Sequence, residues 1–158
     1  MSDDKEKIVN SEEFQIILFE LGNSLYGIPI EKVSEIIKIE EIAILPKAPQ
    51  YIEGVLNLRG NVVPIVDLRK RFSMPQIERT KKSKIIVLLI NKRLFGVIVD
   101  MVHEVLTLQR ENIEPSLPTA SGIKGEFIDS IGKYEDKLII ILDITKIVQS
   151  KESINIEE

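Results

Sequence analysis

The side chains that could do chemistry are few. There is one histidine, His103, and no cysteine. A lone histidine without thiolates cannot assemble the usual zinc set, and a chain without cysteine has no disulfide framework and no cysteine nucleophile. His103 stands next to a carboxylate, Glu104, and reads as a solvated residue. Aspartates and glutamates number 25, but paired carboxylates do acid–base work only when their environments are opposed. Glu31 and Glu35 are four residues apart with Lys32 and Lys38 beside them, the pattern of a solvated face. The stretch "GVLNLRGN" has glycines but lacks the GK[ST] end of a phosphate loop, and it precedes a strand rather than a helix. The glycines of "GIPI" and "GVIV" are strand glycines, not a dinucleotide fingerprint. The expectation is a protein without catalytic residues, metal or cofactor. One charged group still needs a reason: Arg59, set between two runs of valine, leucine and isoleucine in "EGVLNLRGNVVPIVDLR".

Composition narrows the classes further. The 158 residues fit one ordinary domain, and 44% hydrophobic content suffices for a core. A formal charge of -4 and a pI of about 5.2 argue against a general nucleic-acid binder. The longest apolar run, "IIVLLI" (85–90), is far too short to cross a bilayer. The N-terminus "MSDDKEK" has no apolar signal core behind it. A soluble, cytoplasmic protein is expected, with no direct membrane insertion. The basic run Arg69, Lys70, Arg71, Arg79, Lys81, Lys82 and Lys84 reads as a solvated joint, with contact to phosphate or an acidic partner as the other reading.

What would position these residues is a repeat, which is sought first because it changes the whole fold assignment. A shift of 69 lays "IILFELGNSLYGIPIEKVSEIIKI" (16–39) on "IIVLLINKRLFGVIVDMVHEVLTL" (85–108), with Gly27 on Gly96, Val33 on Val102 and Glu35 on Glu104. A shift of 76 lays "YIEGVLNLRGNVVPIVDLRKRF" (51–72) on "FIDSIGKYEDKLIIILDITKIV" (127–148), with Asp67 on Asp143. The two matches run in the same order. They predict two similar halves, about 14–72 and 84–148, joined by the polar segment 73–83. The segment "REN" and the loop "PSLPTASGIKGE" take up the difference in shift. Residues 1–12 and 150–158 read as mobile tails of a domain spanning 13–149.

Each half reads as two strands around a polar turn ("FQIILFEL" and "LYGIPI"; "KIIVLLI" and "LFGVIV"). A short helix follows ("EKVSEIIK"; "DMVHEVL"), then two strands joined tightly at "RGN" or "YEDK". Asp67 or Asp143 then caps a short helix. Pro64 points to an edge or strand-start position. Small β-barrels, which leave few exposed edges, are the expected architecture; whether strands swap between halves stays open. Ile30, Val33, Ile36 and Ile37 make an apolar stripe at helical spacing, matched by Val99, Val102, Val105 and Leu106. Each stripe is most simply core, but if both edge a groove between the barrels, a helix could lie in it.

The segments "FELGNSLYGIPIEKVSEI", "LPKAPQYIEGVLNLRGNVVPIVDLRKRF" and "FGVIVDMVHEVL" resemble the CheW family of bacterial chemotaxis coupling proteins over about residues 13–149. The resemblance implies a mainly β fold with short helices, built as two SH3-like five-stranded barrels. It implies a non-catalytic adaptor that couples the cytoplasmic tips of chemoreceptors to the regulatory domain of the histidine kinase CheA and reaches membrane receptor arrays only through these partners. It maps the receptor-tip groove onto Ile17, Ile30, Val33, Gly96, Val99, Val102 and Val105, and suggests an ion pair between Glu35 and Arg59. The alternative is a similar adaptor in another receptor–kinase pathway, such as one for surface motility or second-messenger output.

Overall fold

The structure is a computed structural model, which describes residues 13–115 and 125–148. The strands in chain order are β1 (Glu13–Leu21), β2 (Ser24–Pro29), β3 (Val33–Lys38), β4 (Ile52–Leu58), β5 (Asn61–Asp67), β6 (Lys84–Ile90), β7 (Arg93–Val99), β8 (Met101–Gln109), β9 (Ile113–Pro115), β10 (Ile128–Tyr134) and β11 (Lys137–Leu142). Helix α1 (Leu68–Arg71) follows β5 and α2 (Ile144–Val148) follows β11. The caps form: the Asp67 carboxylate accepts from the Lys70 N–H at 3.2 Å, and Asp143 from the Lys146 N–H at 3.3 Å. The tails and most of "PSLPTASGIKGE" lie outside the described residues.

Two sheets form, one ordered β8-β1-β2-β11-β10-β9 and the other β3-β6-β7-β5-β4. The end strands of each are joined by short chain: β8 runs through a 3-10 turn (Arg110–Asn112) into β9, and β3 leads through residues 39–51 into β4. The two sheets differ in strand number for a small reason. Glu114 of β9 pairs with Ile131, while its counterpart Ala43 makes only an isolated bridge to Val55. The fold is the mainly β architecture of two SH3-like units.

The strands do swap. β3 of the first half pairs with β6 of the second, and β8 of the second pairs with β1 of the first. The swaps are sealed by two parallel pairings, β2 with β11 and β5 with β7. Each barrel therefore contains strands from both halves of the chain.

The two stretches expected to be short helices are strands. After one 3-10 turn (Ile30–Lys32), residues 33–38 form β3, and "DMVHEVL" belongs to β8. A β-bulge lies in each, between Val33 and Glu35 against β6 and, on the β1–β8 ladder, at His103, which Leu18 and Phe19 skip. One extra residue shifts the alternation by one, so a period of two imitates a spacing of three. The β-branched valines and isoleucines favour extended backbone over helix. Pro64 is not on an edge strand, but the parallel pairing of β5 with β7 begins only at Ile65. Its missing N–H therefore costs the ladder nothing.

Apolar side chains form three clusters. One fills the first barrel (Leu56, Val63, Ile65, Ile85, Val87) and another the second (Ile16, Leu106, Leu108, Ile139, Ile141). The largest lies between the barrels and draws on both, from Phe19 and Tyr26 to Leu88, Val99 and Phe127. Arg71 sits within this junction. Its guanidinium lies 4.1 Å from the Tyr51 ring centroid and 4.6 Å from that of Phe127, and its Nε–H donates to the Ile147 carbonyl at 3.0 Å. Tyr51 and Phe127 are repeat counterparts, as are Arg71 and Ile147. Arg71 thus marks the axis that relates the two halves, held by cation–π contact to both rings.

Candidate functional site

The barrel junction is where accessible apolar side chains from both halves come together. Ile30, Val33 and Val102 are half-buried and pack against the shared cluster. Val105, farther along β8, is 50% exposed. Ile17 and Val99 belong to the cluster itself and are buried. Gly96 faces elsewhere. A Cβ there would stand 2.7 Å from Ile65 Cδ1 and 2.9 Å from Ile85 Cγ2, both in the first barrel's interior. The surface a partner could touch is therefore Ile30, Val33, Val102 and Val105, with Ile17 and Val99 behind it.

Arg59 and Glu35 are brought together by the first barrel. Arg59 occupies the β4–β5 turn with φ of 50°, followed by Gly60 with φ of 90°, the left-handed pair that a tight two-residue hairpin needs. Its Nη2 donates to Glu35 Oε2. Glu35 is on β3 and Arg59 directly follows β4, the two end strands of one sheet. The ion pair thus spans the seam where the barrel has no continuous backbone ladder. The second barrel has Glu104 and Glu135 at the corresponding positions, and three residues of β9 pair with β10 there instead of one bridge.

A second polar cluster, not anticipated from the sequence, fixes the crossover from β7 to β8. Asp100 accepts from Arg69 Nε at 3.0 Å and Nη2 at 2.7 Å, and from the Gly22 N–H at 2.8 Å. Arg69 Nη1 donates to the Pro75 carbonyl at 2.6 Å. Four segments meet at this point: the β1–β2 turn, α1, the joint 73–83 and the crossover. Burial alone would push the Asp100 carboxyl up, but the Arg69 and Gly22 hydrogen bonds and the Arg69 charge outweigh it and hold it below the usual carboxylate range. The hydrogen bond to Asp100 in turn raises Arg69, against its own burial. Nearby, Glu53 accepts from Lys70 at 3.1 Å and pairs with Arg79 at 3.2 Å. Burial pushes Glu53 up, and these two cations more than reverse it. Arg79 also reaches the buried Asp67 at 3.2 Å, so the joint is tied to the first barrel. The signal for the Arg69–Asp100 pair was present in the repeat: the counterparts are Thr145 and Glu31, which cannot pair in this way.

His103, on β8, has its Nε2 2.9 Å from Glu20 Oε1. Among the described residues no three His, Cys, Asp or Glu side chains gather as a metal set, and no helix is long and apolar enough to cross a membrane.

Two further exposed surfaces are repeat-related. Val62 is 67% exposed, beside Pro64 and Leu94 at the point where β5 and β7 diverge. Its counterpart Leu138 is 62% exposed, beside Leu25 and Ile140 where β2 and β11 diverge.

The profile of the CheW-like domain matches residues 15–152, nearly the whole chain. The chain belongs to the CheW family. A "Chemotaxis protein CheW" of Treponema pallidum is 34% identical over 148 residues, covering 91% of this chain and 87% of that protein. That of Klebsiella aerogenes is 36% identical over 138 residues, covering 87% and 83%. The crystal structure of the scaffolding protein TtCheW from Thermoanaerobacter tengcongensis superposes with a TM-score of 0.82 at 37% identity, over 88% of this chain and 90% of that one. A CheW-like domain is a chemotaxis scaffold, and the paired barrels described above are its architecture.

Proposed function

We propose that this CheW-like protein is a non-catalytic coupler, joining the cytoplasmic tips of chemoreceptors to the regulatory domain of the histidine kinase CheA. The observation that carries the reading is the apolar strip at the barrel junction. Side chains of β3 and the turn before it, and side chains of β8, rim one shared cluster while staying partly open to solvent. A receptor tip is a helical hairpin, and a helix laid in such a strip fills it through alternate apolar contacts. Ile30, Val33, Val102 and Val105 touch the tip; Ile17 and Val99 shape the floor beneath it. Gly96 contributes by letting the first barrel close tightly under β7 rather than by contact. The Glu35–Arg59 pair holds β3, and with it Val33, against the β4–β5 turn.

The kinase side is assigned to the two exposed apolar surfaces around Val62 and Leu138. A partner built on the same two-barrel plan would offer matching surfaces, and contiguous exposed apolar groups on a protein of this size commonly mark interaction sites. The protein acts in the cytoplasm and reaches the membrane through the receptor.

Reconstitution tests the reading. A receptor-tip fragment is expected to stimulate CheA autophosphorylation only when this protein is present, and the protein alone is expected to turn over no ATP. Stimulation that is equal without it, or ATP hydrolysis by the purified chain, would overturn the proposal.

A further inference from the structure

The far end of β3 carries an arrangement that folding alone disfavours. Lys38 on β3 lies directly opposite Lys84 on β6. Residues so paired have Cβ atoms about 5 Å apart, and like charges there repel. Lys84 Nζ turns to the Lys81 carbonyl at 2.8 Å, which brings Lys81 and Lys82 to the same corner. Lys38, Lys81 and Lys82 are exposed. None of the four has a carboxylate partner among the described residues, although Glu40 and Glu41 follow Lys38 closely in the chain. Arg59, Arg69, Lys70, Arg79 and Lys133, by contrast, each have a carboxylate partner. In a chain of net charge -4, one corner thus gathers four lysines without a carboxylate partner among the described residues.

We infer that this lysine corner is an electrostatic docking site for an acidic stretch of the helical partner that lies along the barrel junction, so the inference rests on the receptor-groove reading above. The corner shares a strand with Val33. Five residues of strand at about 3.3 Å each put Lys38 about 17 Å from Val33. A helix rises about 1.5 Å per residue and covers that distance in roughly 11 residues, or three turns. The partner chemistry follows: a helix with two or more carboxylates three turns from the apolar residues that meet Val33. Charges placed at the rim of an interface in this way act mainly on association rate and orientation.

Two variants test the inference. Lys38→Glu converts the repulsive cross-strand pair to an attractive one, so it is expected to raise Tm. It is also expected to slow association with a receptor-tip fragment about tenfold at low salt, within the range of electrostatic steering. The two rates should converge near 1 M salt, where the screening length falls to about 3 Å. Lys81→Glu with Lys82→Glu should slow association similarly without the gain in Tm. Unchanged association rates and salt dependence in both variants would overturn the site. Val105→Met in parallel separates the two readings: lost binding there with intact lysine variants upholds the groove and rejects the corner, and the reverse result rejects the groove alone. A glutamate-rich helical peptide reads the corner independently of any receptor. Amide shifts at Lys38, Lys82 and Lys84 are expected in an NMR titration, and their absence rejects the site. Binding to phosphatidylglycerol vesicles that needs the same lysines, with none to the peptide, would assign the corner to a lipid surface instead.

Discussion

Replacing Asp100 by asparagine removes one charge from the cluster that fixes the β7–β8 crossover and leaves its shape almost unchanged. The Arg69 and Asp100 side chains are 11% and 21% exposed, so the guanidinium left behind is mostly out of water. A fully exposed pair contributes about 0–1 kcal/mol, and breaking one side of a fully buried pair costs about 3–5 kcal/mol. This pair lies between, nearer the buried limit because its geometry is bidentate and the Gly22 N–H adds a third bond. The expected loss at pH 7 is about 2–3 kcal/mol, a drop in Tm of roughly 5–10 °C for a chain of this length. Urea unfolding followed by circular dichroism would measure it. The pH dependence has a definite sign. The folded state holds the Asp100 carboxyl below its ordinary value, so the stabilisation is complete above that ordinary value, about pH 4. It fades as pH falls through the lower, folded value. The gap between wild type and Asp100→Asn should therefore be largest at neutral pH and narrow below about pH 4. A loss under about 0.5 kcal/mol, or a gap that stays constant down to pH 3, would refute the account.

Gly96→Ala should lower stability by about 1–3 kcal/mol through crowding of Ile65 and Ile85, with any loss of partner binding tracking the unfolded fraction. Gly27→Ala, whose Cβ would meet Ile16 Cδ1 at 2.5 Å, should behave alike; thermal melts read both. Arg59→Ala should cost at most about 1 kcal/mol, because Arg59 is 69% exposed, yet should reduce receptor-stimulated kinase activity. The swap Glu35→Arg with Arg59→Glu should recover part of that activity, and full activity in Arg59→Ala would make the residue a plain turn. Val105→Met adds volume at an exposed position and should leave Tm unchanged. Its receptor-tip affinity should fall tenfold or more, the equivalent of about 1.4 kcal/mol, as read by titration calorimetry.

Much of the fold was legible because the strands obey simple rules. The hairpins around 22–23, 91–92 and 135–136 were bracketed by alternating or continuous apolar runs, and the repeat fixed which hairpins correspond. What misled was local: Ser34 and His103, themselves repeat counterparts, are the extra residues of two bulges, and each disguised a strand as a helical stripe. The exchange of strands was hidden for a different reason. A repeat reports which segments are alike, whereas pairing depends on which edges meet in space, and β3 presents the same apolar face to either partner. Of the junction residues, Ile30, Val33, Val102 and Val105 are accessible, although an apolar stripe reads most simply as core. Gly96 was placed in the groove by the resemblance alone, and the position its side chain would take faces the barrel interior. Arg69 was overlooked because it sits in a basic run that reads as solvated, and Asp100 because it is a lone carboxylate in an apolar stretch; only the failure of the repeat to supply them with a matching pair sets them apart.

The exchange of strands also governs how the chain comes to be folded as it is made. β1 and β2 are the first strands synthesised, but β1 must wait for β8, and Leu25 to Gly27 of β2 must wait for Ile139 to Ile141. The partner of β2 emerges more than a hundred residues later, almost at the end of the described chain. The first barrel, by contrast, has all its strands once β7 has been made. During synthesis the order is thus inverted: the barrel whose strands begin first closes last. Contacts so distant in sequence slow folding, and the waiting edge of the β1–β2 hairpin is exposed to other nascent chains throughout. Any truncation before Ile139 would leave that edge permanently open, so the last strand completes a barrel and also ends the period in which the first hairpin can pair wrongly.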